Sequence, residues 1–154
     1  MSSAIAPWKS YDDIVVGSSF VGHGRTVTEA DVLIYTALTA GFHQPIHTDL
    51  EFVRKRTGFS ERLLPGPAII SYSIGLLSGT LVYRDITVAF AGLDKVRARA
   101  PVFPGDTITP HATIASKRVT SDGERGLVTF SVEVRKAGGE AAMTYEYLLM
   151  VAAR

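Results

Sequence analysis

Residues 63–83, LLPGPAIISYSIGLLSGTLVY, contain no charged side chain over a length that approaches a membrane span. The prolines around Gly66, the hydroxyl side chains within the segment and the lack of flanking membrane anchors argue against a span in lipid. We expect a helix to begin at Gly66–Pro67, because proline is well tolerated in the first helical turn. A helix that is apolar on all sides and lies outside lipid must be buried by protein. The sequence therefore predicts a central helix covered by the rest of the fold.

After this segment the sequence changes from helical to strand periodicity. Apolar and polar side chains alternate over two long segments, which is typical of strands with one buried face. The turn at Ala137–Gly139 separates these two segments and predicts a hairpin, and Pro104–Asp106 is a second predicted turn. The predicted strands cover residues 86–90, 107–114, 128–135 and 143–151, and a short strand is expected near the N-terminus.

Two shorter helices are predicted before the central one. Residues 28–39 carry apolar side chains at helical spacing, and Thr28 begins a sequence close to a capping box. A second helix is expected over 49–56, with Asp49 as its N-cap and Gly58 closing its C-terminus. The segment between these two helices reads as a polar loop.

Helices that precede the strands, instead of alternating with them, favour an α+β fold. A curved antiparallel sheet wrapped around the central helix would bury that helix economically, and this is the hot-dog architecture. Gly75 and Gly79 lie four residues apart on the helix, so we expect their face to approach the sheet backbone. Residues 1–154 are expected to form one domain. A single sheet leaves an exposed edge, which predicts a homodimer or a higher homo-oligomer associated through the sheet.

Composition argues against several classes of function. Sixteen basic and 15 acidic residues give a net charge of +1, which provides no general field for nucleic acid or anionic membranes. Without cysteine, the chain has no disulfide, no thiolate nucleophile and no thiolate zinc site. Residues 1–9 lack the basic and apolar regions of a signal peptide, so the cytoplasm is the expected compartment.

The most unusual segment is 41–49, Gly-Phe-His-Gln-Pro-Ile-His-Thr-Asp. Its proline-centred turn would hold the imidazole of His47 at a fixed angle, as general acid–base catalysis requires. The spacing of His43 and His47 is also compatible with a metal, but no third ligand is near in sequence, so no metal site is expected. From spacing alone, two ordinary loop histidines remain an open interpretation.

This segment resembles Gly-Asp-x-Asn-Pro-[Ile/Leu]-His-x-Asp, which is found in MaoC-like acyl-CoA hydratases and dehydratases. Leu64–Gly66 resembles the His-Gly that opens the central helix of that family, and Gly75–Leu77 continues the similarity. Ala100–Asp106 is similar to the family's Pro-Val-x-x-Gly-Asp turn. Together with the capped helix at Thr28, these motifs occur in the family's order and cover most of the chain.

The resemblance implies chemistry on an enoyl thioester. In the family, the aspartate and histidine of this segment activate water for addition across a trans-2-enoyl thioester, or catalyse the reverse reaction. His47 matches that histidine, and Gly66 matches the residue whose backbone N–H stabilises the charge on the thioester oxygen. Gln44 replaces the family's asparagine and has a similar orienting amide. Phe42 stands in the aspartate position, and phenylalanine cannot accept a proton.

The missing aspartate leaves three hypotheses open. An active hydratase would use another acid–base group, with His43 or Asp49 the nearest candidates, although capping already explains Asp49. A thioesterase would use a carboxylate to activate water at the carbonyl, and no such acid stands out. A non-catalytic acyl-thioester-binding protein would keep the pocket without the chemistry. The substrate-binding residues expected in every case are Phe42, Pro45, Asp49 and Ser71.

The implied substrate is a thioester of coenzyme A or of an acyl-carrier protein, and no separate cofactor is expected. Two basic clusters, Arg54–Arg56 and the alternating Lys95, Arg97 and Arg99, are candidates for contact with coenzyme A phosphates. Each also has an ordinary explanation, as a helix C-terminus that complements its dipole or as the solvated face of a strand. Neither cluster contains interleaved aromatic residues, so single-stranded nucleic acid is not an expected partner.

Overall fold

The computed structural model describes residues 6–39, 41 and 44–153. A short 3₁₀ turn at Tyr11–Asp13 precedes the first strand. The helices and strands then follow in the order β1 (Ser19–Val21), β2 (Arg25–Thr26), α1 (Glu29–Leu38), α2 (Pro45–Thr48), α3 (Leu50–Thr57), α4 (Gly66–Ser78), β3 (Thr87–Ala98), β4 (Thr107–Val119), β5 (Arg125–Lys136) and β6 (Ala141–Ala152). The helices precede the long strands, and the predicted α+β class is confirmed.

The six strands form one antiparallel sheet in the order β1-β4-β5-β6-β3, with β2 also paired to β4. The hairpin predicted at Ala137–Gly139 joins β5 to β6, and it places Phe130 opposite Tyr147 and Val132 opposite Tyr145. Alternate residues of a strand point to the same face, so the apolar residues of these strands make one buried surface. The period-2 pattern of both strands therefore predicted the buried face correctly.

The sheet wraps around α4, which buries Ala68, Ile69 and Leu77 in the same core as the strands. The helix is also joined to β6 by a buried hydrogen bond of 2.6 Å between the hydroxyls of Ser73 and Tyr145. Ser73 donates its own proton to the carbonyl of Ile70, so Tyr145 is the donor in this pair. The predicted hot-dog architecture, with a central helix enclosed by a curved sheet, is confirmed.

Three buried tyrosines lie in the apolar layer between helix and sheet. Burial raises the pKa of Tyr83 to about 12, and it also raises the pKa of Tyr145 well above the usual value. Burial raises the pKa of Tyr147 as well, and its ring stacks against Phe130 with centroids 5.7 Å apart. All three phenols are therefore neutral at physiological pH, as their apolar surroundings require.

The predicted caps of the two shorter helices are confirmed. The side chain of Thr28 accepts from the N–H of Asp31, and the carboxylate of Asp31 accepts from the N–H of Thr28. Asp49 caps α3 by accepting from the N–H of Phe52 at 3.0 Å, and Gly58 ends that helix with a φ of 75°. No helix in the described ranges has the length and apolar character that crossing a membrane requires.

The expected approach to the sheet is wrong for Gly75, whereas a Cβ atom at Gly79 would lie 3.1 Å from the ring of His23, in the connection between β1 and β2. Both glycines are exposed, and a Cβ atom at Gly75 would meet no atom within 4 Å. Ser73 and Leu77 face the sheet instead, and a residue two positions from either of them points to the opposite side of a helix. Gly75 therefore lies on the outer face of α4.

Two further predictions need correction. The segment 41–49 is not simply a loop, because its residues 45–48 form the one-turn helix α2 with Pro45 in its first turn. The strand predicted over 86–90 extends to Ala98. Three shifts in the pairing of β3 with β6 and the positive φ of 52° at Lys95 interrupt its side-chain alternation, so periodicity alone underestimated its length.

Candidate active site

The short helix α2 positions His47 by a hydrogen bond of its ring. The Nδ1 atom lies 2.9 Å from the carbonyl oxygen of Leu63. A carbonyl oxygen only accepts, so Nδ1 carries the proton in this bond and the neutral ring keeps Nε2 as an acceptor. Asp49 immediately follows α2 and caps α3, which anchors the segment on its C-terminal side. His47 is thus held in the tautomer that a general base needs.

The first turn of α4 presents one free backbone donor, the N–H of Gly66. Pro67 has no N–H, and the N–H groups of Ala68 and Ile69 both lie within hydrogen-bond distance of the Pro65 carbonyl, at 2.9 and 3.4 Å. Within the described part of the chain, the N–H of Gly66 has no protein acceptor. A single donor at the positive end of a helix dipole is suited to an oxygen that gains negative charge.

His47 and Gly66, which are distant in sequence, line the same cavity of about 370 Å³. Its walls are mainly apolar, and His47 and Arg99 are the titratable side chains among the described residues that line it. No carboxylate belongs to that described lining. The other residues of the cavity are Phe59, Leu63, Leu64, Ile69, Ala98, Ala100, Pro101, Val102 and Met143.

A second, smaller cavity of about 230 Å³ also reaches His47. Gly41 and Gln44 belong to its lining, together with Tyr35 and Thr36 of α1. Gln44 directly precedes α2 and makes no capping hydrogen bond with its side chain, so within the described part of the chain its amide is available to a ligand. The imidazole of His47 therefore lies between two spaces, of which the larger also contains the start of α4.

Several residues expected at the site lie elsewhere or outside the described part of the chain. Phe42 and His43 lie outside the described residues. Asp49 is exposed and caps α3, and neither it nor Pro45 lines either cavity that contains His47. Ser71, expected to bind substrate, also lies away from these cavities. It is exposed, lines neither cavity and donates its hydroxyl proton to the Pro67 carbonyl one turn earlier on α4.

Met143 and Arg99 are among the cavity residues that the sequence motifs did not single out as part of the pocket. Met143 belongs to the predicted strand now seen as β6, and its Cε atom would lie 3.8 Å from a Cβ atom built at Gly66. Arg99 appeared only as part of a basic cluster, although it directly follows β3 and lines the cavity. For Met143 the only signal was its place in the alternating pattern of β6. That pattern makes it an inward-facing residue near the end of a strand, and such a residue can reach a pocket.

Comparisons with known proteins give one consistent family. The MaoC like domain model matches residues 15–136. Protein MaoC of Klebsiella aerogenes is 34% identical over 116 residues, which is 75% of this chain and 33% of that relative, so the chain spans about a third of its length.

Solved structures share the fold of this chain. A monoamine oxidase regulatory protein from Archaeoglobus fulgidus is 31% identical, with a TM-score of 0.88 over 97% of this chain and 98% of the other. The (R)-hydratase from A. caviae involved in PHA biosynthesis shares the fold, with a TM-score of 0.70 and 24% identity over 88% of this chain and 96% of the other. On the matched domain model and the identity to MaoC, the chain belongs to the MaoC-like domain family.

Proposed function

We propose that this protein is a hydratase/dehydratase that adds or removes water at the 2,3 position of an enoyl or 3-hydroxyacyl thioester. The observation that carries the proposal is the shared cavity of His47 and Gly66, which supplies a base and a backbone donor on apolar walls. Membership of the MaoC-like family supports it, and so does the fold shared with the A. caviae (R)-hydratase.

The proposed hydration follows from the chemistry of these groups. Nε2 of His47 takes a proton from water while the water oxygen forms a bond to C3 of the enoyl group. The electron pair of the double bond moves towards the thioester, whose oxygen gains negative charge and accepts from the N–H of Gly66. A proton must then reach C2. Among the described residues of the cavity, the imidazolium of His47 is the acid that can return one.

The apolar walls have a role in this reaction. Ile69, Val102 and Met143 line the cavity near the start of α4, so an acyl group bound there would lie against apolar side chains. Low local polarity strengthens the hydrogen bond from the N–H of Gly66 to a charged oxygen. The reaction needs no cofactor besides the coenzyme A or carrier group of the substrate.

A second candidate function is binding of an acyl thioester without catalysis. The observation that favours it is the lack of a carboxylate among the described residues of the cavity, combined with Phe42 at the family's aspartate position. A thioesterase is less well supported, because it would use a carboxylate to direct water at the carbonyl. The same cavity would serve all three functions, so measurement of the products separates them.

The test is incubation of the purified protein with crotonyl-CoA. Loss of the conjugated enoyl absorbance measures hydration, and a thiol reagent measures release of coenzyme A. We expect slow hydration and no free thiol, because one acid–base group of the family is absent and this typically lowers the rate by about 10²–10⁴-fold. Release of thiol would identify a thioesterase. Binding of crotonyl-CoA without hydration or thiol release would identify a non-catalytic acyl-thioester-binding protein.

We also propose that two copies associate along β3. Among the described residues this strand pairs with β6 alone, and it lies at the edge of the sheet. Val88 and Phe90 on β3 are 49% and 60% exposed. An edge strand with free backbone groups and exposed apolar side chains favours pairing with another strand. A second copy offers the same strand, and antiparallel pairing of two such edges gives a closed two-fold dimer.

The dimer is tested by light scattering after size exclusion at micromolar concentration. We expect the mass of a dimer for the native protein and a shift towards the monomer for Val88→Lys, because a charge in the interface would be desolvated. Val119→Lys is the matched control, since this valine is 46% exposed at the far end of β4. A native protein that stays monomeric would end the proposal.

A further inference from the structure

We propose that Arg97 and Arg99 form an anion site that holds a phosphate of coenzyme A at the mouth of the His47 cavity. This inference rests on the proposed function, because it concerns the carrier end of the same thioester. Arg99 is the link between the two regions. It lines the apolar cavity with His47 and Gly66, and it also lines a polar groove of about 380 Å³.

The groove lies on the face of the sheet that is turned away from α4. Its lining includes Ser131 and Glu133 of β5 and Thr144 and Glu146 of β6, which alternate with buried residues. A ligand that occupies both the apolar cavity and this groove would therefore run past the end of β3 to the outer face of the sheet. An acyl thioester has this form, with an apolar acyl group at one end and a charged carrier at the other.

The backbone and side chain of Arg99 are both anchored at this crossing point. Its N–H donates to the carbonyl of Ala142 at 2.9 Å, which continues the pairing with β6 beyond the end of β3. Its Nε donates to the hydroxyl of Thr144 at 3.3 Å. The remaining guanidinium N–H groups are available to a ligand, and their planar arrangement matches two oxygens of a phosphate.

Charge pairing leaves the two arginines uncompensated. Lys95 contacts Glu146 at 2.6 Å, and Glu133 forms an ion pair with Arg135, so both carboxylates of the groove are already occupied. Among the described residues, neither Arg97 nor Arg99 has a carboxylate within ion-pair distance. Nη1 of Arg97 donates to the Val96 carbonyl at 2.7 Å, which leaves its other N–H groups for a ligand. Two guanidinium groups that line one groove without counter-charges among the described residues provide a site for a compact anion.

The surrounding groups favour the phosphate of a small carrier over an acidic carrier protein. Glu133 and Glu146 line the same groove, so an extended acidic surface would meet carboxylates as well as arginines. A single phosphate can contact the arginines alone. The other basic cluster, Arg54–Arg56, shows no connection to the His47 cavity. Arg54 pairs with Glu51 at 3.6 Å and lines a pocket that does not include His47.

The test compares the affinity for coenzyme A with the affinity for pantetheine, which has no phosphate, by titration calorimetry. The native protein should prefer coenzyme A, and Arg97→Gln and Arg99→Gln should each weaken coenzyme A binding by about 10- to 100-fold, the effect of losing a charge-assisted hydrogen bond. The preference over pantetheine should shrink accordingly. Arg118→Gln is the matched control, because this exposed arginine of β4 does not line the groove.

Three results would overturn the anion site. They are unchanged coenzyme A affinity in both groove variants, an equal loss in the Arg118 control, or acceptance of crotonyl groups from a carrier protein but not from coenzyme A. Hydration of the crotonyl thioester of N-acetylcysteamine, which carries no phosphate, tests the reaction separately. If the native protein does not hydrate this thioester, the proposed reaction is refuted. If the same protein binds coenzyme A and the Arg99 variant binds it more weakly, the anion site is still supported.

Discussion

Replacement of His47 by alanine should lower the rate of crotonyl-CoA hydration by about 10²–10⁴-fold, the usual contribution of a general base. The expectation rests on the bond between Nδ1 and the Leu63 carbonyl, which leaves Nε2 as the acceptor in the ring. The measurement is the initial rate of loss of the enoyl absorbance under saturating substrate. A drop in kcat with little change in KM would indicate a role in the chemical step.

Two controls separate this chemical role from a structural one. His47→Asn keeps a side-chain N–H that can reach the Leu63 carbonyl but offers no base, so it should be as slow as the alanine variant. His111→Ala removes a histidine of β4 that lies outside both His47 cavities and should retain the native rate. Rapid hydration that is indifferent to His47→Ala would place the chemistry on residues not identified in this site.

The substitution Phe42→Asp should raise the hydration rate by a factor of similar size, about 10²–10⁴. By resemblance to the family motif, position 42 carries the second acid–base group, while His47 and the free N–H of Gly66 are already on one cavity. The described neighbours of position 42 in sequence, Gly41 and Gln44, both line the smaller cavity that also reaches His47. A carboxylate introduced here is therefore expected to act on the same bound substrate.

Phe42→Asn is the matched control for the gain of activity. It has nearly the same size and polarity as aspartate but cannot take up a proton, so it should remain as slow as the native protein. The double variant with His47→Ala should lose the gain, because both groups serve one reaction. Equal rates for the aspartate and asparagine variants would show that the position has no acid–base role. Thermal unfolding of each variant checks that the fold is intact.

Local patterns in the sequence predicted most of the fold. The capping residues Thr28 and Asp49 defined helix starts because their side chains bond to backbone groups only three residues away. The alternation in β5 and β6 predicted their buried face because neighbouring side chains of a strand point to opposite sides. Both signals depend on short segments, so they can be recognised without knowledge of the tertiary structure.

Features that depend on distant parts of the chain were harder to predict. Met143 and Arg99 reach the cavity only because the ends of β6 and β3 lie next to the start of α4. The length of β3 was hidden by its pairing shifts, which break the alternation that periodicity detects. For Gly75, small size alone did not reveal which side of α4 faces the sheet, and the surrounding buried residues decided it.

The buried tyrosines also limit the stability of the fold at alkaline pH. Burial raises the pKa of Tyr83 to about 12 from an ordinary value of 10.0, and that of Tyr145 is raised as well. In the unfolded chain both phenols lose their protons near pH 10, whereas the folded protein retains them. Their contribution to stability is thus complete below pH 10 and falls as the pH rises towards the folded-state pKa, by about 1.4 kcal/mol per pH unit for each tyrosine. The Tyr145 hydroxyl, which joins α4 to β6 at neutral pH, and the Tyr83 hydroxyl thereby become groups through which strong base unfolds the protein.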